Sequence, residues 1–360
     1  MKHVPKAGWV RVVVVAAAAE GVIAVIWFRG PSWSGILDAF DVVRWRWVFA
    51  AIGLNLVSVI ARSLAWETVI EQAMPPPRPR YPLVFSAFSI GLFANAVLPG
   101  RIGELARVAV LTRKLPERRG AWATLVGTVF AHRVFDLVPV IMLIVFVLLT
   151  AKLPHWAVAS LEIFVGVGIA LVAFAIASAR RPERSPLDGV SAFRRVVTMA
   201  RYGLGVLKAP MAAAQAILFQ VAGWVCQLLA VWTAMRAFHI HEPLSAAGLV
   251  LLLMNVATVF PLWPGNVGLV QAAIAFPLSS SYGIGYTRGF AFGIGLQAIE
   301  ASVGVGAGLA FLAREGLSFA MLRVMPDASQ AEIPEDGEEL DESPRGADEP
   351  ERGFVGGRRG

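Results

Sequence analysis

The segment "NAVLPGRIGELAR", Asn95 to Arg107, decides how this chain folds. It follows a run of apolar residues, yet it places one Pro, two Gly, two Arg and one Glu within thirteen positions. Such a break is either a surface loop or polar backbone held at membrane depth, and the second is tolerated only inside protein or beside water. The rest of the sequence favours the second reading.

The composition is typical of a polytopic helical membrane protein. Of the 360 residues, 57% are hydrophobic and 16% are charged, whereas soluble domains average about 25% charged residues. Several apolar stretches reach the roughly 20 residues that a helix needs to cross a bilayer. The stretch "VIMLIVFVLLT" (140–150) lacks the alternation of a barrel strand. Six full spans are predicted, at residues 9–28, 47–70, 120–149, 157–179, 210–236 and 287–313.

The end of the chain differs from this membrane domain, which we assign to residues 1–313. Between Asp327 and Glu351, eleven residues are acidic and few are apolar. Such a segment cannot bury enough apolar surface to offset the entropy of ordering, so residues 314–360 are predicted to form a disordered, acidic cytoplasmic tail. The chain shows no catalytic triad, zinc-ligand spacing or P-loop, and we expect no enzyme activity, cofactor, metal site or nucleic-acid partner.

Two further stretches, 81–117 and 245–279, are apolar, then broken by Pro-Gly, then apolar or amphipathic again. Each half is only about 12–18 residues long, which is short for a full crossing. The loop 180–208 carries seven Lys and Arg, so it should be cytoplasmic. If both stretches are re-entrant hairpins, the N-terminus and the basic segments around the first hairpin also fall on the cytoplasmic side. We therefore predict two re-entrant hairpins and cytoplasmic termini.

The two hairpins belong to an internal repeat. The motif "PGRIG" at 99–103 matches "PGNVG" at 264–268, an offset of 165 positions. The flanking predicted spans start 163 and end 164 positions apart, which gives repeat units of about 47–149 and 210–313. One span separates the units, so they should enter the membrane from opposite sides, as in many secondary transporters. The predicted helix breaks are Pro99, Gly100, Gly103, Pro264, Gly265 and Gly268.

Charged residues cluster after the first break and in the following span. Arg101, Glu104 and Arg107 stand at i, i+3 and i+6, and Arg133 and Asp136 stand at i and i+3. Ionisable residues at mid-bilayer cost about 3 kcal/mol each or more, so they usually face a cavity or a partner. The start of the second half-helix should add unpaired N–H groups and a positive dipole end. Further polar residues that could line such a cavity are Asn95, His132, Gln271 and Glu300, and Gln271, which follows the second break, could instead act as a cap.

Two interpretations of this cluster are open. Three Arg against one Glu and one Asp leave a formal charge of +1, which the phosphate of one anionic lipid would balance. Alternatively, the charges form an internal network that only locks the hairpin to span 120–149. The two roles can coexist.

Three motifs together resemble a known family. "LPGRIGELAR" follows an Asn, "RVFD" comes about thirty residues later, and "FPLWPGNVG" marks the second break. Their order and spacing resemble the membrane region of lysylphosphatidylglycerol synthases, the flippase-like proteins, over most of 9–313. The resemblance places the five charged residues at polar positions of the family. It departs at His132 and Gln271, where the family commonly has acids, which argues against a proton- or cation-coupled step there and leaves the site more positive.

The resemblance implies a protein of the bacterial inner membrane that moves lipids between leaflets. Related stand-alone members of the family occur near polyprenyl, glycolipid and hopanoid pathways. We expect a flippase-like protein that binds or moves a phospholipid or polyprenyl/glycolipid headgroup. Residues 314–360 are too short and polar for the aminoacyl-transfer domain of the synthases. The alternative is a non-transporting scaffold subunit for lipid-modifying enzymes, which would dock through loop 180–208 and the acidic tail.

Overall fold

The computed structural model describes residues 32–98, 102–115, 121–153, 155–180, 206, 209–258 and 264–314. These residues form α-helices and no β-strand, which confirms the predicted all-α class for the described part of the chain. The predicted span 9–28, most of loop 180–208 and the tail after Arg314 lie outside the described residues. So do Pro99, Gly100 and Arg101 of the first break.

The described chain contains ten α-helices and one short 3-10 turn. In chain order they are α1 (Trp33–Asp41), α2 (Trp45–Ala73), α3 (Tyr81–Val97), α4 (Gly103–Lys114), α5 (Ala121–Thr150), α6 (His155–Arg180), α7 (Pro210–Ala237), α8 (Leu244–Ala257), the 3-10 turn (Pro264–Asn266), α9 (Leu269–Tyr282) and α10 (Tyr286–Arg314).

Four of these helices, α2, α5, α7 and α10, are long and apolar enough to cross a membrane. They have 28 to 30 residues each and coincide with four of the six predicted spans. Helix α6 coincides with the predicted span 157–179, although its apolar stretch, Leu161–Ala173, is shorter than those of the four. The chain is therefore a multi-pass helical membrane protein.

The helix order long–short–short–long occurs twice. Helices α2 to α5, which we call the first unit, have 29, 17, 12 and 30 residues, and α7 to α10, the second unit, have 28, 14, 14 and 29. Helix α7 starts at Pro210, 165 positions after α2 at Trp45, and α10 starts 165 positions after α5. Each pair of short helices occupies one of the predicted hairpin segments.

The first helices of the two units, α2 and α7, pack against each other along much of their length. They run antiparallel, because the residues before α2 contact those after α7. The Arg44 N–H donates to the Ala237 carbonyl at 3.0 Å, and His239 Nε2 lies 2.9 Å from the Val42 carbonyl.

The first pair of short helices, α3 and α4, meets through two glycines. A Cβ atom on Gly103 would lie 2.0 Å from the Gly91 carbonyl oxygen, so only glycine fits where α4 begins beside α3. This agrees with the predicted role of Gly103 in starting a second half-helix close to the first. The close contact ties the two short helices into one hairpin.

The second pair, α8 and α9, is joined by the 3-10 turn. Positive φ angles of 70° at Gly265, 46° at Asn266 and 93° at Gly268 turn the chain, in a region that favours glycine. Asn266 holds this turn, because its side-chain amide donates to the Ala257 carbonyl at 2.7 Å. The predicted break at 264–268 is thus confirmed as a helix interruption.

Each hairpin also packs on the last helix of the opposite unit, α3 on α10 and α8 on α5. Gly308 permits the first of these contacts, since a Cβ atom there would lie 2.2 Å from Phe93 Cβ. Gly248 similarly lets α8 approach α5, because a Cβ atom there would lie 3.1 Å from Val147 Cγ2. The units therefore interlock, and side chains from both can contribute to one polar region between them.

Candidate functional site

The predicted charged residues of the hairpin and of α5 form one continuous ionic cluster. Glu104, in the first turn of α4, lies 2.6 Å from Arg107 Nη2 through one carboxylate oxygen. Its other oxygen pairs with the Arg133 guanidinium of α5. Arg133 Nη1 donates to Asp136 Oδ2 at 2.9 Å, one helical turn further on. Four of the five predicted charged residues are thus brought together, and Arg101 lies outside the described residues.

The exposure of these side chains differs widely within the cluster and is highest for Arg133. Arg107 is 4% exposed, Asp136 8% and Glu104 24%, whereas Arg133 is 49% exposed. Arg133 is the thirteenth of thirty residues in α5, near the middle of a helix that can span the membrane. It is the member of the cluster that an outside molecule can reach most readily.

Arg107 has a different environment. Its guanidinium lies 4.4 Å from the centroid of the Trp66 ring of α2 and 5.3 Å from that of Phe88 in α3. Cation–π contacts of this kind stabilise a desolvated guanidinium by about 2 kcal/mol. With Glu104 as its ionic partner, Arg107 fastens α4 to α2 and α3. Its position therefore agrees with the locking interpretation better than with an open ligand site.

Asp136 is held by residues of α2 and α7 that the sequence analysis did not identify. Trp224 Nε1 donates to Asp136 Oδ1 at 3.1 Å, and Arg62 Nη2 donates to Asp136 Oδ2 at 3.5 Å. Arg62 carried a usable signal, because a lone arginine inside an apolar span usually has a partner or a function. Trp224 carried none, since its indole is compatible with ordinary packing.

The network continues into the second unit through Arg62. Arg62 Nη1 lies 3.5 Å from Gln227 Oε1 of α7. Gln227 Nε2 in turn donates to Glu300 Oε1 of α10 at 3.2 Å. The predicted polar residue Glu300 therefore lies at the far end of this network, four contacts away from Arg133.

His132 lies under the ionic cluster. Only 1% of it is exposed. Its Nε2 atom is 3.1 Å from the Arg62 carbonyl and 3.1 Å from Gln220 Nε2 of α7. Gln220 also donates to the His132 carbonyl at 3.3 Å. His132 therefore connects α5 to α2 and α7 as a buried hydrogen-bonding group.

At the start of α4, the expected unpaired N–H groups are largely occupied. The Gly103 N–H donates to Asn95 Oδ1 at 2.8 Å. The N–H groups of Leu105 and Ala106 donate to the Ile102 carbonyl at 3.0 and 2.9 Å. The expectation of unpaired amides is therefore wrong at these positions. Asn95, a possible lining residue, instead caps the second half-helix.

The start of α9 is capped in a related way. The Gly268 N–H donates to Gln271 Oε1 at 2.6 Å, and Gln271 Nε2 donates to Gln297 Oε1 of α10 at 2.5 Å. Gln297 then donates to the Gly265 carbonyl. Gln271 is 1% exposed, so of the two predicted roles, capping and lining, it fulfils the first.

The family model described as the lysylphosphatidylglycerol synthase transmembrane region matches residues 8–308. No curated protein and no solved structure is similar enough to count as a match. The family match includes both units and the whole ionic cluster. The chain therefore belongs to the family of the lysylphosphatidylglycerol synthase transmembrane region.

Proposed function

We propose that this protein binds the anionic headgroup of a membrane lipid, a phospholipid or a polyprenyl-linked or glycolipid, and moves it between leaflets without catalysing a reaction. The observation that carries the proposal is the position of Arg133. Its side chain is 49% exposed near the middle of α5, while Glu104 and Asp136 hold its guanidinium from two sides. A guanidinium carries five N–H donors in a rigid fork, and this fork matches the geometry of phosphate oxygens.

The charge balance supports the same ligand. Arg62, Arg107 and Arg133 meet the carboxylates of Glu104 and Asp136 within the first unit. The formal charge of these five residues is +1, and a positive charge inside a membrane domain is stabilised by an anionic partner. A phosphate at Arg133 would supply that partner. Arg rather than Lys suits this role, because its planar fork matches two phosphate oxygens.

The arrangement of the helices supports alternating access. If the four long helices cross the membrane, α3 and α4 enter and leave on the side where α2 ends and α5 begins. Helices α8 and α9 enter and leave on the opposite side, where the end of α5 approaches the end of α9. There the Lys152 N–H donates to the Tyr282 hydroxyl at 3.3 Å. This is an inverted repeat with two re-entrant hairpins, and such repeats place the substrate at their interface.

Single-cysteine labelling tests this topology. In a Cys226→Ala background, Arg78→Cys before α3 and Ser280→Cys in the last turn of α9 should react from opposite sides of the membrane. The positive-inside bias places the first hairpin and both termini in the cytoplasm of a bacterial cell, so a membrane-impermeant reagent applied from outside should label position 280 only. Reaction of both positions from one face is incompatible with the inverted repeat.

Lipid binding and scrambling in proteoliposomes test the function itself. Arg133→Ala should weaken binding of a phosphate-bearing lipid by a charge-assisted hydrogen bond, about 1.5–3 kcal/mol or roughly 10- to 150-fold. Arg133→Lys should restore part of it. Arg236→Ala is the matched control, because this arginine stacks on Trp232 at 4.5 Å at the other end of α7, outside the ionic cluster.

The double variant Arg133→Ala with Asp136→Ala separates binding from structure. If Arg133 only neutralises Asp136, removing both should return binding and scrambling to the wild-type level, which would refute the role of Arg133 in binding phosphate. If the proposal holds, the double variant folds better than Arg133→Ala but stays defective. Wild-type protein that neither binds nor moves lipid would favour the scaffold alternative.

A further inference from the structure

Equivalent residues of the two units meet where α2 crosses α7. Arg62 and Gln227 are 165 positions apart, the offset that also separates the first residues of these helices. They lie in direct contact, with Nη1 of Arg62 3.5 Å from Oε1 of Gln227. One helical turn earlier, a Cβ atom on Gly223 would lie 3.3 Å from the carbonyl of Ser58, its equivalent in the first unit. The pseudo-twofold relation between the units therefore passes through this crossing.

Each of these two residues also holds an acid on the last helix of its own unit. Arg62 reaches Asp136, 74 positions later, and Gln227 reaches Glu300, 73 positions later. The contacts follow one pattern repeated in the two units. They join into a single polar path, Asp136–Arg62–Gln227–Glu300, across the interface between the units.

A single guanidinium occupies the centre of this path. Arg62 Nη2 contacts Asp136 and Nη1 contacts Gln227. Because the guanidinium fork is planar and rigid, a movement of one contact must turn the other. Asp136 Oδ2 accepts from both Arg62 and Arg133. A movement of Arg62 can therefore shift Arg133, the most exposed member of the ionic cluster. Gly223 leaves the room for this side chain, since a Cβ atom there would lie 2.6 Å from Arg62 Cγ.

We infer that Arg62 is a positioning residue that couples the two units: it sets the geometry of Arg133 through Asp136 and transmits the state of Glu300 from the second unit to the first. This rests on the proposed function for the identity of the ligand at Arg133 and adds to it. The site is then one site operated by both units. A rearrangement around Glu300 would alter how the first unit holds an anionic headgroup.

Hydrogen exchange of the intact protein in lipid nanodiscs tests the coupling without reference to transport. Glu300→Gln changes the second unit only, and the exchange rate of the amides of α4 in the first unit is the readout. We expect Glu300→Gln to change these rates by about fivefold or more, the lower range of allosteric coupling. In the Arg62→Gln background the same substitution should leave α4 unchanged. An equal effect in both backgrounds, or no effect with Arg62 present, overturns the inference.

A second variant keeps the test decisive if Arg62→Gln does not fold. The swap variant, which combines Arg62→Gln with Gln227→Arg, moves the guanidinium to the equivalent position of the second unit. It keeps one positive charge where α2 crosses α7. In this variant Glu300→Gln should still alter exchange in α4, because the guanidinium again lies between the two acids. If the swap variant folds but Glu300→Gln does not change the hydrogen-exchange rates of α4 in it, the inference is contradicted. Arg236→Gln on α7 is the control, and it should leave the response to Glu300→Gln intact.

Binding of vesicles that contain phosphatidylglycerol distinguishes this inference from the proposed function. Glu300→Gln should change binding when Arg62 is present and should have no further effect in the Arg62→Gln background. If wild-type protein binds no such lipid while α4 still responds to Glu300→Gln through Arg62, the proposed function fails and the coupling stands. If lipid binds through Arg133 but α4 does not respond, the coupling fails and the function stands.

Discussion

The two units share one helix order but satisfy their polar interiors with different chemistry. The hairpin of the first unit reaches its last long helix through charges, Glu104 to Arg133. The hairpin of the second reaches its last long helix through two amides, Gln271 to Gln297. Arg133 and Gln297 lie 164 positions apart, as do the last residues of α5 and α10. The contact between the hairpin and the last long helix is therefore ionic in one unit and neutral in the other.

This difference has consequences for what each unit can do. An amide pair satisfies its own donors and acceptors and leaves no charge to attract a ligand. An ionic network with an excess of guanidinium groups creates a field that favours an anion. The first unit thus holds the charges on which the proposed headgroup binding depends, while the hairpin contact of the second unit is neutral. Three sets of substitutions and one truncation probe this difference.

The largest effect is expected for Glu104→Gln. It removes the carboxylate that pairs with Arg107, whose side chain is 4% exposed, and breaking a buried ion pair costs about 3–5 kcal/mol. The free energy of unfolding in mixed micelles measures this loss. Gln271→Ala, which removes the neutral counterpart, should cost less. Equal losses in the two hairpins would show that charge makes no difference to their stability.

Gly103→Ala should destabilise by about 3 kcal/mol, the upper part of the usual range for overpacking. The added methyl would lie 2.0 Å from the Gly91 carbonyl, which is backbone and cannot move aside. Gly268→Ala should cost less, about 1–2 kcal/mol, because its strain is conformational. Gly306→Ala in α10 is the control, since a Cβ atom there meets nothing within 4 Å. A Gly103→Ala protein as stable as this control contradicts the close packing of α3 on α4.

Gln271→Glu should cost about 2 kcal/mol, the desolvation of a group that is 1% exposed and gains no cation. Adding Gln297→Arg should recover most of this loss, because it places an ion pair at the contact that Gln271 and Gln297 now make through their amides. Thermal unfolding of the single and double variants measures the recovery. A double variant less stable than Gln271→Glu alone would show that the two units are not interchangeable at this contact.

Removal of residues 327–360 should have the smallest effect, within about 0.5 kcal/mol of the intact chain, as for changes away from packed features. The segment has eleven acidic residues and no apolar periodicity. Retention of monodisperse protein after heating in detergent is the measurement. A large loss of folded protein would show that the tail packs on the membrane domain. Intact folding with lost function would favour the scaffold alternative.

Much of the fold was predictable because a membrane-spanning helix is recognisable in a sequence as a long apolar stretch. The predicted span 120–149 and the observed α5, Ala121–Thr150, differ by one residue at each end. The ion pairs of Glu104 with Arg107 and of Arg133 with Asp136 follow from i, i+3 spacing on one helix. The contact between Glu104 and Arg133 joins two helices, and the resemblance of the motifs anticipated that both belong to one site.

Other parts of the site could not be predicted, for physical reasons. Gln220 and Gln227 are neutral, so their burial in a span carries too small a cost to mark them as functional. Their partners, His132 and Arg62, lie on other helices, and only the antiparallel packing of α2 on α7 brings them together. The capping role of Asn95 could not be predicted either. Its contact with the Gly103 N–H depends on the angle at which α4 returns beside α3.

The contact between Arg62 and Gln227 has a consequence for how a duplicated sequence can evolve. In a perfect internal duplication the same amino acid would occupy both positions, and two arginines would place like charges a few ångströms apart inside the membrane. Two glutamines would leave Asp136 without the cation of α2. Because Arg62 and Gln227 stand at equivalent positions and touch, they must differ if one charge is to serve both units. The two units share their helix order, and the side chains at the contact between them are not the same.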